Sequence, residues 1–274
     1  MKRNNHFVAM IVLVLFSVVL LFPFYWLIRS SLMTDREINT VPLMWLPKTF
    51  MWENFPKALS TAPFATYYRN TLTIVVINVV GNILSCSFVA FGFARLRFKG
   101  RGFWFALLLS TMMIPGAVTM IPSFIMWKTV GAFNTFLPLT IPAFFGGGAF
   151  NIFLVRQFYY GIPKDYDESA FVDGANYFTI YSRILLPLAK PVLCTIGVFT
   201  FMGAWNDFLG PLLYLDKTEL RTVTLGLYVF IGQYVTKYNY LLAASTVATI
   251  PMIIMFFFAQ RFFIQGVTFT GLKG

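Results

Sequence analysis

The chain has 274 residues, of which 58% are hydrophobic and only 11% are charged, and 33 residues are Phe. A soluble domain carries about a quarter charged residues, so this composition excludes a soluble globular protein and indicates one that crosses a membrane several times. The net charge of +11 requires no nucleic-acid partner, because anionic lipid accounts for it.

Six runs of roughly 20 predominantly apolar residues are long enough to cross a bilayer as helices. They lie near residues 7–28, 71–94, 104–127, 136–155, 188–213 and 241–263. In the third run, Pro115 and Pro122 predict a simple kink more often than a broken helix. In the fourth, Pro138, Pro142 and the glycine triplet 146–148 disfavour regular helix unless neighbouring protein re-satisfies the backbone. The sequence therefore predicts an all-α polytopic membrane protein with six transmembrane helices.

The first run follows Lys2 and Arg3 in the manner of a signal peptide, but it has about 22 residues and no small-residue cleavage site, so it is interpreted as a retained span. Basic residues set the orientation, because they are concentrated in cytoplasmic loops. Four of them crowd the second connection, at 95–101, whereas Lys128 is alone in the third. Both termini are therefore expected in the cytoplasm.

The titratable residues offer little for catalysis or metal binding. Cys86 and Cys194 both fall in apolar spans, so no disulfide framework is expected. His6 is the only histidine of the chain, which excludes a site built from several histidines and disfavours a histidine general base. The sequence accordingly predicts no metal site and no enzymatic activity.

A polar segment at residues 156–187 interrupts the apolar sequence between the fourth and fifth runs, on the cytoplasmic side. Pro163 favours a helix start, and three acidic residues follow it where a helix N-terminus is electropositive. These residues are Asp165, Asp167 and Glu168. The pattern predicts a short helix that continues through Val172.

A sharp corner and a second helix are predicted next. Gly174 readily takes the left-handed conformation that ends a helix, and Asn176 suits the N-cap of the next one. Apolar residues then recur on one helical face. They are Phe178, Tyr181, Ile184 and Leu185. Spacing alone leaves two interpretations: an amphipathic hairpin that lies on its own bundle or the lipid interface, or a knob that seats in a groove of a partner.

The residues of this segment resemble a known signature. ABC importer permeases carry a cytoplasmic motif written Glu-Ala-Ala, x3, Gly, x9, Ile-x-Leu-Pro. The corresponding residues here are Glu168-Ser-Ala, x3, Gly174, x9, Ile184-x-Leu186-Pro187. The one departure is Ser169, which replaces a small residue by another small residue.

The resemblance implies the type I ABC importer permease fold, in which two short helices of this coupling loop (residues 156–187) insert into a cleft of an ATP-binding subunit. The coupling residues that it implies are Glu168, Ser169, Ala170, Asp173, Gly174, Ile184, Leu186 and Pro187. The chain has no Gly-x4-Gly-Lys-Ser/Thr phosphate loop, so it is expected to bind no cofactor and to rely on a partner for ATP hydrolysis.

Further stretches resemble the second permease of maltose-type carbohydrate importers. They are Glu53-Asn-Phe55, Trp205–Pro211, Gly232–Tyr234 and the end of the chain from Ala243 to Gly274. The implied partners are a homologous permease that is a different chain, two ATP-binding subunits, an extracytoplasmic sugar-binding protein and membrane lipid. The implied location is the inner membrane of a bacterium or archaeon.

The expected organisation has three parts: a first span with an external segment at 1–69, a permease core with five spans at 70–263, and a cytoplasmic tail at 264–274. The alternative function is a self-sufficient secondary carrier or channel for a small polar solute. Such a protein needs its own coupling-ion site and commonly contains an inverted repeat. One intramembrane acid and no evident repeat give that alternative little support.

Four polar residues within the spans are candidates for the substrate pathway. They are Asn78, Asn82, Asn206 and Asp207. A charge in a membrane segment costs roughly 2.5–3.5 kcal/mol, so Asp207 marks a pathway, an ion pair with an arginine, or a cap on a neighbouring helix. The two asparagines of the second span lie beside Gly81 and Ser85, a small-x3-small pair that favours helix packing as their role.

Overall fold

The computed structural model describes residues 2–232 and 236–270, with side chains for 9–232 and 236–260. Within these residues the secondary structure is helical, and strand-like pairing is limited to one isolated bridge between Ile231 and Thr236. The predicted all-α class is confirmed.

The α-helices of the described chain have the following bounds. In chain order they are α1 (Lys2–Ser31), α2 (Asp35–Ile38), α3 (Asn54–Ser60), α4 (Phe64–Arg95), α5 (Arg101–Ser110), α6 (Gly116–Thr129), α7 (Leu137–Thr140), α8 (Ala149–Gly161), α9 (Asp165–Val172), α10 (Tyr177–Thr179), α11 (Leu186–Leu188), α12 (Lys190–Asn206), α13 (Leu209–Tyr214), α14 (Val223–Leu227) and α15 (Tyr238–Thr270). Short 3-10 turns lie between several of them, and a π-helix at Ile180–Leu185 joins α10 to α11.

Six candidate membrane spans are present in the described residues. Four are helices that are long and apolar enough to cross a bilayer, and two are bent pairs that pass the same test together. The four are Ala9–Ser31, Phe64–Arg95, Leu137–Gly161 and Tyr238–Gln260, and the bent pairs are Arg101–Met113 with Gly116–Thr129 and Tyr177–Leu188 with Lys190–Asn206. These spans agree with the six apolar runs of the sequence.

The third span is broken instead of kinked. Its two halves meet at 97°, and the break lies at Ile114 and Pro115. Proline lacks the N–H that would continue the helix and pushes the preceding residue out of the helical region. Ile114 accordingly has φ −81° and ψ 115°. The expectation of a simple kink is wrong here, whereas Pro122 lies inside α6.

The described residues form two compact units. The first comprises the residues up to Ala65 together with Gly226–Pro251, and the second comprises Thr66–Leu225 and the residues from Met252 onward. The expected boundaries at 69 and 263 rest on hydropathy, whereas these units follow packing, and α15 continues as a helix to Thr270. Residues 233–235, which include part of the Gly232–Tyr234 resemblance, and 271–274 of the expected tail lie outside the described residues.

In the first unit, the segment after α1 folds back on the end of that helix. The buried Asn54 side chain donates two hydrogen bonds of 2.9 Å, to the carbonyls of Ser31 and Met33. Thr34 and Glu37 form a capping box that starts α2. One asparagine thus satisfies carbonyl groups that the end of α1 leaves free.

In the second unit, a hydrophobic core joins the C-terminal third of α4 to α8, α12 and the coupling loop. Among its fully buried side chains are Cys86, Val155, Leu185 and Ile196. The coupling loop is therefore part of the same packed core as the spans, because Leu185 belongs to that loop.

Candidate functional site

The first helix of the coupling loop, α9, begins and ends as the sequence predicts. Its first turn carries Asp165, Asp167 and Glu168, and Val172 is its last residue. Gly174 follows with φ +81°, a left-handed conformation that glycine adopts without penalty. The N–H groups of Gly174 and Ala175 donate to the carbonyls of Phe171 and Ala170, at 3.0 and 2.9 Å, which is a Schellman motif.

The second helix begins at its expected cap, since the N–H of Thr179 donates to Asn176 Oδ1 at 2.9 Å. Its buried face, however, differs from the expected one. Tyr181 and Leu185 are buried and Ile184 is half-buried, but Phe178 is 67% exposed. A π-helix at Ile180–Leu185 replaces the regular α-helix that the sequence predicts there.

The coupling loop also has apolar side chains that the described chain leaves exposed, and this set is called the coupling face. This coupling face consists of Tyr166, Phe171, Val172, Tyr177 and Phe178, with exposed fractions between 43% and 88%. The loop therefore buries one set of apolar side chains in the core and leaves a second set exposed. Exposed apolar side chains of this kind are found at protein-binding and membrane-contacting surfaces.

The residues of the signature occupy both sides of this loop. Ala170 is buried, and Ile184 and Leu186 are half-buried. The exposed members are Glu168, Ser169, Asp173, Gly174 and Pro187. Ser169 Oγ donates to the carbonyl of Asp165, one turn earlier in the same helix. A hydroxyl at the position of the second motif residue is thus satisfied within the helix.

A buried ion pair connects the coupling loop to the end of α4. Arg95 Nε lies 2.8 Å from Asp167 Oδ2, and the two side chains are 4% and 13% exposed. Among the described residues, Asp167 Oδ1 has no hydrogen-bond partner. Burial raises the pKa of Asp167 above its ordinary value, and the Arg95 guanidinium opposes that rise. Arg95 therefore favours the ionised form of this carboxylate.

A cavity of about 370 Å³ opens in the second unit among α4, α8 and α12. Its polar lining comprises Asn78, Asn82, Asn151, Thr200, Asp207 and Thr222. Its apolar lining includes Phe199 and Leu139. The volume lies within the range of about 300–1,000 Å³ that is typical of small-molecule sites, and amide, hydroxyl and carboxylate groups converge on it.

Asp207 has the helix-cap role that the sequence leaves open, and it also lies at the cavity. It lines the cavity, and its Oδ1 accepts the N–H of Gly210 at 3.0 Å, which caps the start of α13. The fifth span is not continuous here, because α12 ends at Asn206 and Asp207 has an extended ψ of 119°. A Cβ at Gly210 would collide with the Asp207 carboxylate, so glycine permits this turn.

The polar stripe of α4 packs against the irregular fourth span. Asn78 Nδ2 donates to the carbonyl of Leu139 at 2.8 Å, and Ser85 Oγ donates to that of Ala143 at 2.7 Å. A Cβ at Gly81 would lie 2.9 Å from the Phe144 ring. Side chains of α4 therefore satisfy carbonyls that the proline-interrupted segment cannot bond internally.

The family model described as binding-protein-dependent transport system inner membrane component matches residues 83–269, which is more than half of the chain. The chain belongs to this family. It is a membrane-embedded permease subunit of a binding-protein-dependent transport system.

The permease is similar over nearly its whole length to characterised relatives. It is 33% identical to the arabinooligosaccharide transport system permease of Halalkalibacterium halodurans, over 93% of this chain and 92% of that protein. It is 31% identical to the diacetylchitobiose uptake system permease of Streptomyces coelicolor, over 93% and 92%. These relatives are transport permeases and not enzymes.

The fold of the permease is that of a bacterial ABC transporter involved in the import of the acidic polysaccharide alginate. A chain of its crystal structure superimposes with a TM-score of 0.82 at 24% identity, over 95% of this chain and 97% of that one. A second structure, the alginate transporter in complex with a pentasaccharide-bound periplasmic protein, gives 0.67 at 18% identity over 94% and 93%. The predicted fold is confirmed.

Three of the four predicted pathway residues of the permease lie together, since Asn78, Asn82 and Asp207 line the cavity. Asn206 does not line it, and its Nδ2 donates to the carbonyl of Met202 in its own helix. Sequence reasoning missed Asn151, although a lone amide in an apolar run is a signal of the same kind. It also missed Thr222, whose place depends on distant packing. The neighbouring Val223 N–H donates to Thr71 Oγ1 on α4 at 2.9 Å.

Within the part of the chain that the structure describes, no three His, Cys, Asp or Glu side chains are grouped to hold an ion.

Proposed function

We propose that the permease forms half of the translocation pathway of an ATP-driven sugar importer and binds sugar in the cavity at Asn151 and Asp207. Relatives that are named for their substrates include permeases for arabinooligosaccharides, diacetylchitobiose and starch degradation products. Amide and carboxylate groups suit sugar hydroxyl groups, because each hydroxyl both donates and accepts a hydrogen bond. The ring of Phe199, which also lines the cavity, offers an apolar surface for a sugar ring.

The observation that carries the coupling role is the exposed coupling face on a loop whose corner is held by Gly174. We infer that the ATP-binding subunits dock on this face, with Glu168 and Asp173 at its polar margin. The remaining partners are a homologous permease of different sequence and an extracytoplasmic sugar-binding protein. The basic loop at 95–101 supports a cytoplasmic location for the coupling loop, in the inner membrane of a bacterium or archaeon, with both termini in the cytoplasm.

In this mechanism the chain itself performs no covalent chemistry. Closure of two ATP-bound subunits moves the coupling loops, and the spans that line the cavity change its accessibility from one side of the membrane to the other. ATP acts on the partner subunits and not as a cofactor of this chain. Energy reaches the sugar only through packed helices, so residues between loop and cavity are as necessary as those that contact either partner.

The sugar site is tested by two isosteric substitutions on one helix. Thr200 lines the cavity, whereas the hydroxyl of Thr195, one turn and a half earlier on α12, donates to its own helix at the carbonyl of Pro191. The transporter is purified with its natural partners, and uptake of labelled arabinooligosaccharides, diacetylchitobiose and starch-derived oligosaccharides into proteoliposomes is measured. For the sugar that is carried, Thr200→Val should raise the KM about fivefold, as the loss of one hydrogen bond implies, and Thr195→Val should not. Equal effects of the two substitutions on the KM would contradict a role of the cavity in sugar binding.

The alternative function, a self-sufficient carrier or channel, makes a different prediction for the chain alone. Reconstituted into liposomes without ATP-binding subunits, the chain should accumulate no sugar on a proton or sodium gradient. Accumulation under those conditions would contradict the subunit role.

A further inference from the structure

The guanidinium group of Arg95 contacts two elements at once. Besides its ion pair with Asp167 on α9, its Nη2 donates to the carbonyl of Ile162 at 2.9 Å. Ile162 is the C-cap residue that directly follows α8. One side chain at the end of α4 therefore holds both the end of α8 and the first helix of the coupling loop.

The same two helices meet again at the cavity. Asn151 on α8 lies 3.4 Å from Asn82 Oδ1 on α4, and both residues line the cavity. At about 1.5 Å per helical residue, the cavity contacts lie roughly 20 Å from Arg95 along α4 and roughly 17 Å from Ile162 along α8. Between them, the guanidinium of Arg156 lies 3.8 Å from the centre of the Phe105 ring, and its Nε donates to the carbonyl of Phe93. The two helices are thus joined at the cavity and again near their C-terminal ends.

The geometry of the ion pair indicates that its role is to position the coupling loop and not to stabilise the fold. The Arg95 Nε–H is not aligned for a hydrogen bond to the carboxylate, and Asp167 Oδ1 has no partner among the described residues. Burying two charges with incomplete hydrogen bonding adds little stability compared with an apolar pair of similar volume. An ion pair nevertheless fixes the distance between its partners in a way that an apolar contact does not.

We propose that Arg95 is a positioning residue for coupling: it holds the coupling loop at a fixed distance from the cavity, so that α4 and α8 carry a displacement of the loop to the sugar site. This inference rests on the proposed function, because the displacement is produced by ATP-binding subunits docked on the coupling face. Asp167 is the partner through which Arg95 acts on the loop.

The test measures that distance in the assembled transporter. Cys86 and Cys194 are replaced by alanine, and spin labels are attached at two exposed positions, Val76→Cys on α4 and Lys164→Cys at the N-cap of α9. Electron-electron double resonance is recorded without nucleotide and after trapping with ATP and vanadate. The expected result is one narrow distance that stays within about 2 Å between the two states, a span comparable to one helical residue of rise.

Variants then alter the ion pair between Arg95 and Asp167 without changing the residues of the coupling face. Asp167→Ala should broaden the distance distribution and lower the stimulation of ATP hydrolysis by the sugar-loaded binding protein at least fivefold, while the ATP-binding subunits still copurify. The double substitution Arg95→Asp with Asp167→Arg should partly restore the narrow distance distribution and the stimulation of ATP hydrolysis. A role in which the two side chains only fill space does not predict this recovery. A wild-type distance that changes between the states, or a distribution unaltered by Asp167→Ala, would overturn the proposal. Failure of the proposed function itself is distinguishable, because the wild-type chain would then not copurify with ATP-binding subunits.

A second, independent observation is an apolar groove of about 400 Å³ beside the basic loop between α4 and α5. Phe93, Phe98, Trp104 and Leu108 contribute to its lining, which is almost wholly apolar. The groove lies where one candidate span ends and the next begins, at Arg95 and Arg101.

The loop at the mouth of this groove carries unpaired positive charge. Arg97 and Lys99 flank Phe98 and are exposed, and neither has an acidic ion-pair partner among the described side chains. Cations at the end of a span attract anionic headgroups, and the adjoining apolar slot suits an acyl chain. We propose that this groove binds an anionic phospholipid.

Lipid retention tests this site. The transporter is extracted from membranes of phosphatidylglycerol and phosphatidylcholine, and bound lipid is measured by native mass spectrometry. Retained phosphatidylglycerol should fall by about a factor of five for each basic residue removed in Arg97→Gln and Lys99→Gln. The matched variants Lys48→Gln and Lys217→Gln, at exposed positions elsewhere, should not change it. Equal retention of both lipids, or equal losses in all four variants, would refute the site.

Discussion

The first and second spans are both strongly apolar, yet they are packed in opposite ways. The span Ala9–Ser31 has a mean hydropathy of 2.7, and none of its most apolar window is buried, whereas Phe64–Arg95 has 2.2 and 44% of its window is buried. In the first span, the hydroxyl of Ser17 donates to its own helix, at Leu13. In the second, Asn78 and Ser85 donate to a neighbouring segment.

This difference separates two questions that hydropathy alone merges. Apolar length decides whether a segment crosses the membrane. Small and polar residues decide whether it packs against another helix, because lipid chains are as apolar as Leu and give no hydrophobic drive for association. The uncovered apolar surface of α1 is therefore suited to contact with lipid. The surface of α4, which carries small and polar residues, is suited to contact with protein.

The largest loss of stability is expected when a larger side chain is placed at the closest interhelical contact of α4. Gly81→Leu should destabilise the protein by about 1–3 kcal/mol, because a Cβ there already meets the ring of Phe144 at 2.9 Å. Gly92→Leu, on the same helix with nothing within 4 Å, is the control and should cost less. Thermal unfolding of the detergent-solubilised protein measures both. Similar shifts for the two would show that α4 is not packed as described.

A smaller effect is expected from removing one interhelical hydrogen bond. Ser85→Ala deletes the bond to the carbonyl of Ala143 and should cost about 0.6 kcal/mol, and at most about 1.7. Ser17→Ala removes a hydroxyl that bonds within α1 and should leave the unfolding temperature unchanged. A larger loss at Ser17 than at Ser85 would reverse the assignment of the two helices.

The smallest effect on stability is expected at the exposed apolar surface of α1. Val19 is 70% exposed and Val75 on α4 is 2% exposed. Val19→Ala should change stability by less than about 0.5 kcal/mol, whereas Val75→Ala should cost about 1 kcal/mol or more. The same unfolding assay in lipid nanodiscs decides between them. A marked loss at Val19 would mean that protein covers α1.

Residue chemistry predicted those features that depend on a few neighbouring residues. The corner at Gly174 and the cap at Asn176 follow from local backbone preferences, and the structure has both. The exposed position of Phe178 was not predictable, because packing of residues such as Leu185 into a core formed with α4, α8 and α12 decides which side of this segment is buried. Long-range packing also decides the cavity, which joins Asn151 to residues that lie far away in sequence.

The bend at Pro115 shows the same limit. A proline in a membrane helix permits a kink or a break, and the local sequence does not distinguish between them. The structure has a break of 97°. Asp207 is similar, since its charge indicated a special role but not that one carboxylate both caps α13 and lines the cavity.

We propose that ATP-binding subunits act on the coupling loop. Two glycines with the same backbone geometry, one inside this loop and one outside it, provide a matched test of that role. Gly174 and Gly131 both follow a helix in a Schellman motif, with φ of +81° and +76°, and a Cβ would meet nothing within 4 Å at either. Leucine at each should impose a similar left-handed strain of about 1–2 kcal/mol. The measurement is ATP hydrolysis by the reconstituted transporter with sugar-loaded binding protein. Gly174→Leu should abolish the stimulation and Gly131→Leu should retain most of it, whereas equal stimulation in the two variants would contradict the account.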